Sequence, residues 1–103
     1  MRGTTNGNAR GGSDARRRRR EWLVETFRAD VDAIDVRYIG GDQMVEDVAL
    51  PACRCYRCGT LLTADTVTVD RIVPGCKGGT YRRDNIRPAC GPCNSVTGGA
   101  LRG

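Results

Sequence analysis

Two cysteine pairs, Cys55-Tyr56-Arg57-Cys58 and Cys90-Gly91-Pro92-Cys93, carry the strongest chemical signal in the chain. In a Cys-x-x-Cys turn both thiolates aim at one point, and two such turns complete the tetrahedral set of four sulfurs that zinc prefers. Zinc held this way contributes on the order of 10 kcal/mol, comparable to the whole stability of a small domain. Cys53 and Cys76 are left over. Cys53 could replace Cys55 as a ligand, although the two-residue spacing is the better bite. Cys76 lies among glycines and reads as a spare, half-exposed thiol.

Six cysteines in 103 residues could also form a disulfide framework, and the compartment separates the two readings. The residues after Met1 are polar, glycine-rich and arginine-rich, so neither a signal peptide nor a membrane span is expected. The expectation is a cytoplasmic protein with reduced thiols and a metal site. A thioredoxin-type redox turn is the rival reading of Cys90-Gly91-Pro92-Cys93. The second pair and the lack of alternating strand and helix units weigh against it.

Between the pairs stand Thr68-Val69-Asp70-Arg71-Ile72-Val73-Pro74, then Gly78-Gly79, then Asp84-Asn85-Ile86-Arg87-Pro88-Ala89-Cys90, and Cys93-Asn94 follows. In order and spacing, residues 53–99 resemble the HNH endonucleases, whose motif reads Asp-His-Ile-x-Pro, a glycine-rich loop, a central Asn and Cys-x-x-Cys-Asn or Cys-x-x-Cys-His. The chain resembles in particular short HNH proteins of actinobacterial phages, where Asp-Arg-Ile often replaces Asp-His-Ile. The resemblance implies a two-stranded ribbon and a helix around one divalent cation: an α+β, ββα-metal fold stapled by a four-cysteine zinc site and preceded by an N-terminal helix. It further implies DNA phosphodiester hydrolysis, phage DNA processing in the host cytoplasm, and a packaging terminase as partner.

Carried over by residue, the resemblance makes Asp70 a carboxylate ligand of Mg²⁺ or Mn²⁺ and Asn94 a second oxygen ligand. Asn85 would hold the ribbon's loop and orient position 71. The departure from the family is at that position: Arg71 stands where the water-activating His belongs, and the chain contains no histidine. An arginine stays protonated near neutral pH and cannot act as a general base, but it can clamp the scissile phosphate. Tyr81 is the candidate substitute base; packing or base stacking is its alternative role. The missing base keeps a second function open, a catalytically inactive HNH-fold zinc module that binds DNA or a partner protein. A third is a protein-interaction zinc ribbon using the acidic middle of the chain.

These groups need elements to position them. The length bounds the chain to one domain, and aromatic residues at 5% exclude a large aromatic core. Charge is segregated: residues 1–20 carry seven arginines and one acid, 21–50 eight acids and two arginines, 51–103 eight basic groups and three acids. Basic ends around an acidic middle suggest a polyanion partner, a solubilising surface being the alternative. Arg16, Arg17, Arg18, Arg19, Arg20, Lys77, Arg82, Arg83 and Arg87 are the expected DNA contacts.

Residues 1–12 have nothing to bury and are expected to be a disordered basic tail. Residues 13–50 form an N-terminal helix and an acidic connection, and 51–103 the zinc-binding module. The helix is expected from Ser13-Asp14 to about Ala29, with Leu23, Phe27, Val31 and Ile34 along its core face and Trp22 flanking. Cations around its start oppose the helix dipole unless phosphates neutralise them. Residues 31–50 read as a weak hairpin, turning at Gly40-Gly41-Asp42, or as an irregular connection. A strand is expected over 66–73, a short return strand at Asn85-Ile86-Arg87, and a short helix over about 91–96 stopped by Gly98-Gly99.

Overall fold

The computed structural model describes residues 11–40 and 45–102, with residues 97–102 by backbone alone. The expected disordered tail falls outside the described residues over 1–10, and the expected turn falls outside them over 41–44.

Helix α1 spans Ser13–Thr26 and starts at an extended Gly12 without a side-chain cap. Arginine is a good helix former, and Arg17 pairs with Glu21 one turn on, at 3.3 Å. The helix stops earlier than its apolar spacing suggests. After Thr26 the chain turns extended: Ala29 N–H donates to Ala52 C=O at 2.7 Å, and Arg28 bridges Cys53. Helical spacing loses its meaning from that point. Leu23 and Val24 are buried, whereas Phe27 is 42% exposed and Ile34 64% exposed. The core side of α1 is therefore Trp22-Leu23-Val24 and not the longer stripe.

The acidic connection is a regular antiparallel hairpin. Strands β1 (Ala33–Tyr38) and β2 (Val45–Leu50) pair from Ala33↔Leu50 to Tyr38↔Val45. The alternation of Ile34, Val36 and Tyr38 marks one face of the hairpin, but that face is open to solvent, with Tyr38 79% exposed.

The cysteine-bearing module follows as two further antiparallel pairs and a helix. Strands β3 (Cys53–Arg54) and β4 (Leu61–Leu62) bracket the first cysteine turn. Strands β5 (Thr68–Arg71) and β6 (Ile86–Ala89) form the ribbon, in register Thr68↔Ala89, Val69↔Pro88, Asp70↔Arg87 and Arg71↔Ile86. Helix α2 covers Gly91–Arg102 and runs on through Gly98-Gly99. Glycine costs about 1 kcal/mol in a helix without breaking it. Leu23, Val24, Cys53, Cys55, Leu62, Val67, Ile86 and Ala89 make one small core, so α1 is part of the module's packing. Among the described residues, no helix is long and apolar enough to cross a membrane.

Candidate active site and metal centre

The first cysteine turn closes on itself. Cys55 N–H donates to Thr60 C=O, and Gly59 N–H returns to Cys55 C=O at 3.0 Å. Gly59 has φ +80°, a left-handed conformation that glycine adopts without steric cost. Tyr56 N–H then donates to Pro88 C=O at 2.9 Å and clips this turn to β6. The second pair straddles the start of α2. The result is convergence: the sulfurs of Cys55, Cys58, Cys90 and Cys93 all lie within 4.8 Å of one another. Cys58 Sγ and Cys90 Sγ are 3.7 Å apart. A tetrahedron with metal–sulfur bonds of about 2.3 Å has sulfur–sulfur edges of about 3.8 Å, so four thiolates here fit a metal such as zinc.

The electrostatics point the same way. Burial works to raise the Cys55 thiol, yet N–H groups of Cys58, Cys90 and Arg57 bring it down to about 6. The Cys93 thiol is pushed up to about 12, first by its side-chain hydrogen bond with Cys90 and then by burial. The backbone amides favour one thiolate, and further negative charge at the same point needs a cation. Cys53 is outside the cluster: it lies in the core, and burial pushes its thiol up. Cys76 is exposed.

Asn85 holds the loop between the two ribbon strands. Its Oδ1 accepts from Val73 N–H at 2.8 Å, and its Nδ2 donates to Val73 C=O at 3.0 Å and Thr80 C=O at 2.8 Å. The backbone adds Ile72 N–H to Asn85 C=O. This packing is tight enough to demand glycine at 79, where a Cβ would sit 1.6 Å from the Val73 carbonyl oxygen. Gly75 lies close to Arg71, whose guanidinium would be 2.8 Å from an added Cβ.

Asp70 and Arg71 end β5 on opposite faces. The Asp70 carboxylate is almost fully buried and meets Arg87, its cross-strand partner, with Nε–Oδ2 at 2.7 Å. Arg87 in turn lies over the Tyr56 ring at 3.7 Å. Among the expected phosphate contacts, Arg87 is thus engaged inside the fold. Arg71 lies over the Tyr81 ring at 4.4 Å, and Arg19 of α1 lies over the same ring at 4.7 Å. Asn94, in the first turn of α2, donates through Nδ2 to Thr68 Oγ1 at 3.1 Å and Val69 C=O at 3.3 Å. The Thr68 hydroxyl donates in turn to Ala89 C=O at 2.8 Å.

Beside this ribbon is a cleft of about 250 Å³, lined by Arg16, Arg19, Arg20, Val67, Thr68, Val69, Tyr81 and Asn94. It brings together Tyr81, Asn94 and part of the arginine run, while Asp70 and Asn85 lie outside its lining. The run itself is divided. Arg17 pairs with Glu21 and with Asp65 at 3.4 Å, and Arg20 Nε donates to Ala64 C=O at 3.0 Å. These contacts dock α1 on the module. Arg16 and Arg18 are exposed. Arg83 covers the Trp22 ring at 5.2 Å, and Lys77 and Arg82 lie on the loop surface.

Two features escaped the reading of the sequence. The Asp70–Arg87 pair follows from ribbon register, for which no local residue is a signal. The cleft-facing set Arg16, Arg19 and Arg20 was legible in principle, since spacings of three and four place it on the same helical face as Leu23.

Residues 55–102 match the family model described as HNH endonuclease, which leaves α1 and the β1–β2 hairpin outside the match. No curated protein and no solved structure matched the chain. With the ribbon, the Asn85-pinned loop and the helix beside four converging cysteines in the family's order, residues 55–102 belong to the HNH endonuclease family.

Proposed function

We propose that the protein is a metal-dependent endonuclease that hydrolyses DNA phosphodiester bonds, by nicking or cleavage, with zinc in the four-cysteine site as a structural staple. The observation that carries this reading is a family-matched ribbon and helix with Asp70 and Arg71 at the end of β5 and Asn94 at the start of α2. The donor chemistry suits Mg²⁺ or Mn²⁺, since Asp70 and Asn94 offer oxygen. Asn94 already directs its nitrogen at Thr68 and Val69, which leaves its carbonyl oxygen for a cation. Arg87 occupies Oδ2 of Asp70, so this guanidinium shares the carboxylate or moves aside when a cation binds. When bound, the cation would stabilise negative charge on the phosphorane and the leaving oxygen.

The side chains supply the rest. Arg71, permanently charged, clamps the phosphate under attack, and Tyr81 holds the guanidinium in place through its ring. With no histidine in the chain, the proton of the attacking water passes to solvent or to Tyr81 acting as a phenolate, which becomes the phenol. By resemblance to phage proteins of this type, we place the activity in phage DNA processing, with the packaging terminase as partner.

The Asp70–Arg87 pair also favours a second reading, a DNA-binding module that does not cut. A plasmid-nicking assay with zinc-loaded protein in Mg²⁺ and Mn²⁺ separates the two. Nicking that needs added metal and disappears in Asp70→Ala supports the nuclease. If only Arg71→His cuts, the natural protein binds DNA over a latent site; if neither cuts, catalysis is rejected.

A further inference from the structure

We propose that α1, the helix outside the family-matched segment, supplies a phosphate clamp, Arg16 and Arg19, whose ligand is a backbone phosphodiester of DNA held against Asn94. The proposal rests on the reading above that this face of the module takes DNA.

The cleft carries three guanidiniums and no carboxylate in its lining. Like charges gathered in one small space repel, and cations in the first turns of a helix also oppose its dipole. Both costs are offset when an anion enters. Arg20 docks α1 through Ala64 C=O, and Arg17 is paired with Glu21 and Asp65 away from the cleft. Arg16 and Arg19 line the cleft three residues apart, on one helical face. Arg19 is aimed by the Tyr81 ring that also carries Arg71. One aromatic ring thereby holds two guanidiniums from two separate elements, of which Arg19 lines the cleft. Val67 and Val69 add apolar surface to the lining, while Thr68 and Asn94 add polar groups. A forked, planar guanidinium pair matches phosphate oxygens better than it matches any single carbonyl. The family-matched segment alone lacks the arginine side of the cleft, which α1 supplies.

The test is fluorescence anisotropy with a labelled DNA oligonucleotide and the full, zinc-loaded chain, in buffer without added divalent cation. Arg16→Gln and Arg19→Gln are compared with Arg37→Gln, which removes the same charge from an exposed position of β1 outside the cleft. Arg16→Gln and Arg19→Gln should each weaken binding about tenfold and lower the salt slope by about one, while Arg37→Gln stays within about twofold. Equal losses in all three would mean diffuse charge, and unchanged affinity in Arg16→Gln and Arg19→Gln would mean no clamp; either overturns the proposal. The same titrations with RNA of identical sequence tell the two phosphodiesters apart, and losses confined to RNA would overturn DNA as the ligand. Arg16 is exposed and its replacement spares the core, so the test survives even if Arg19→Gln fails to fold. Because binding is read without cleavage, a clamp that binds while the plasmid stays intact would remove the nuclease reading and leave this one standing.

Discussion

Arg87 reaches across the β5–β6 ribbon and holds the Asp70 carboxylate at 2.7 Å, where Asp70 is 5% exposed and Arg87 30%. The register Asp70↔Arg87 makes the pair a property of strand pairing. The same carboxylate is the expected ligand of a divalent cation, so Arg87 holds in place a charge that would otherwise be buried alone.

Removing Arg87 should therefore be costly. Arg87→Gln strands a buried carboxylate and is expected to lower stability by about 3–5 kcal/mol, read from the midpoint of urea unfolding. Asp70→Asn combined with Arg87→Gln removes both charges and should recover most of the loss. Millimolar Mg²⁺ should also stabilise Arg87→Gln more than the natural chain, because a cation at Asp70 replaces the missing charge. No difference in Mg²⁺ response would count against Asp70 as a cation ligand.

The cysteines should sort by environment. With zinc bound, one thiol, exposed Cys76, should react rapidly with a thiol reagent, while buried Cys53 waits for unfolding. Chelation should release one zinc per chain, expose the four cluster thiols and unfold the module, since metal binding is folding energy in a domain this small. Rapid reaction of five thiols before chelation would refute the four-cysteine site.

The loop depends on close backbone contact. Asn85→Ala loses three hydrogen bonds, about 3 kcal/mol in total. Gly79→Ala places a methyl group into the Val73 carbonyl and should disrupt the loop more severely. Both should lower the melting temperature, and both should impair any nicking by displacing Arg71. A Gly79→Ala protein with a natural melting curve would contradict the described packing.

Tyr81 has two separable properties, a ring and a hydroxyl. Tyr81→Phe keeps the ring for Arg19 and Arg71, and is expected to retain DNA binding within about twofold, whereas Tyr81→Ala should lose about tenfold. Nicking measured in Tyr81→Phe then decides the proton path. Retained activity assigns the proton to solvent; lost activity with unchanged binding assigns it to the Tyr81 phenolate.

Local chemistry made much of this protein legible in its sequence. The Cys-x-x-Cys spacing implied the metal site because a tight turn fixes where two adjacent thiols point, whatever surrounds it. The alternation near Thr68–Arg71 and the ordered motif through Asn85 and Asn94 located the ribbon, its loop and the second helix. What spacing could not supply was the competition among distant partners. Phe27, Val31 and Ile34 keep a helical rhythm, but the backbone after Thr26 pairs with residues 52–53 and leaves them exposed. Gly98-Gly99 looked like a stop, yet helix α2 continues through it. The arginine run looked uniform, and only docking of α1 on Ala64, Asp65 and Tyr81 assigned its members to different tasks. Turn geometry is written in neighbouring residues, whereas charge pairing and burial depend on which surfaces meet, and that is decided only when the chain has folded.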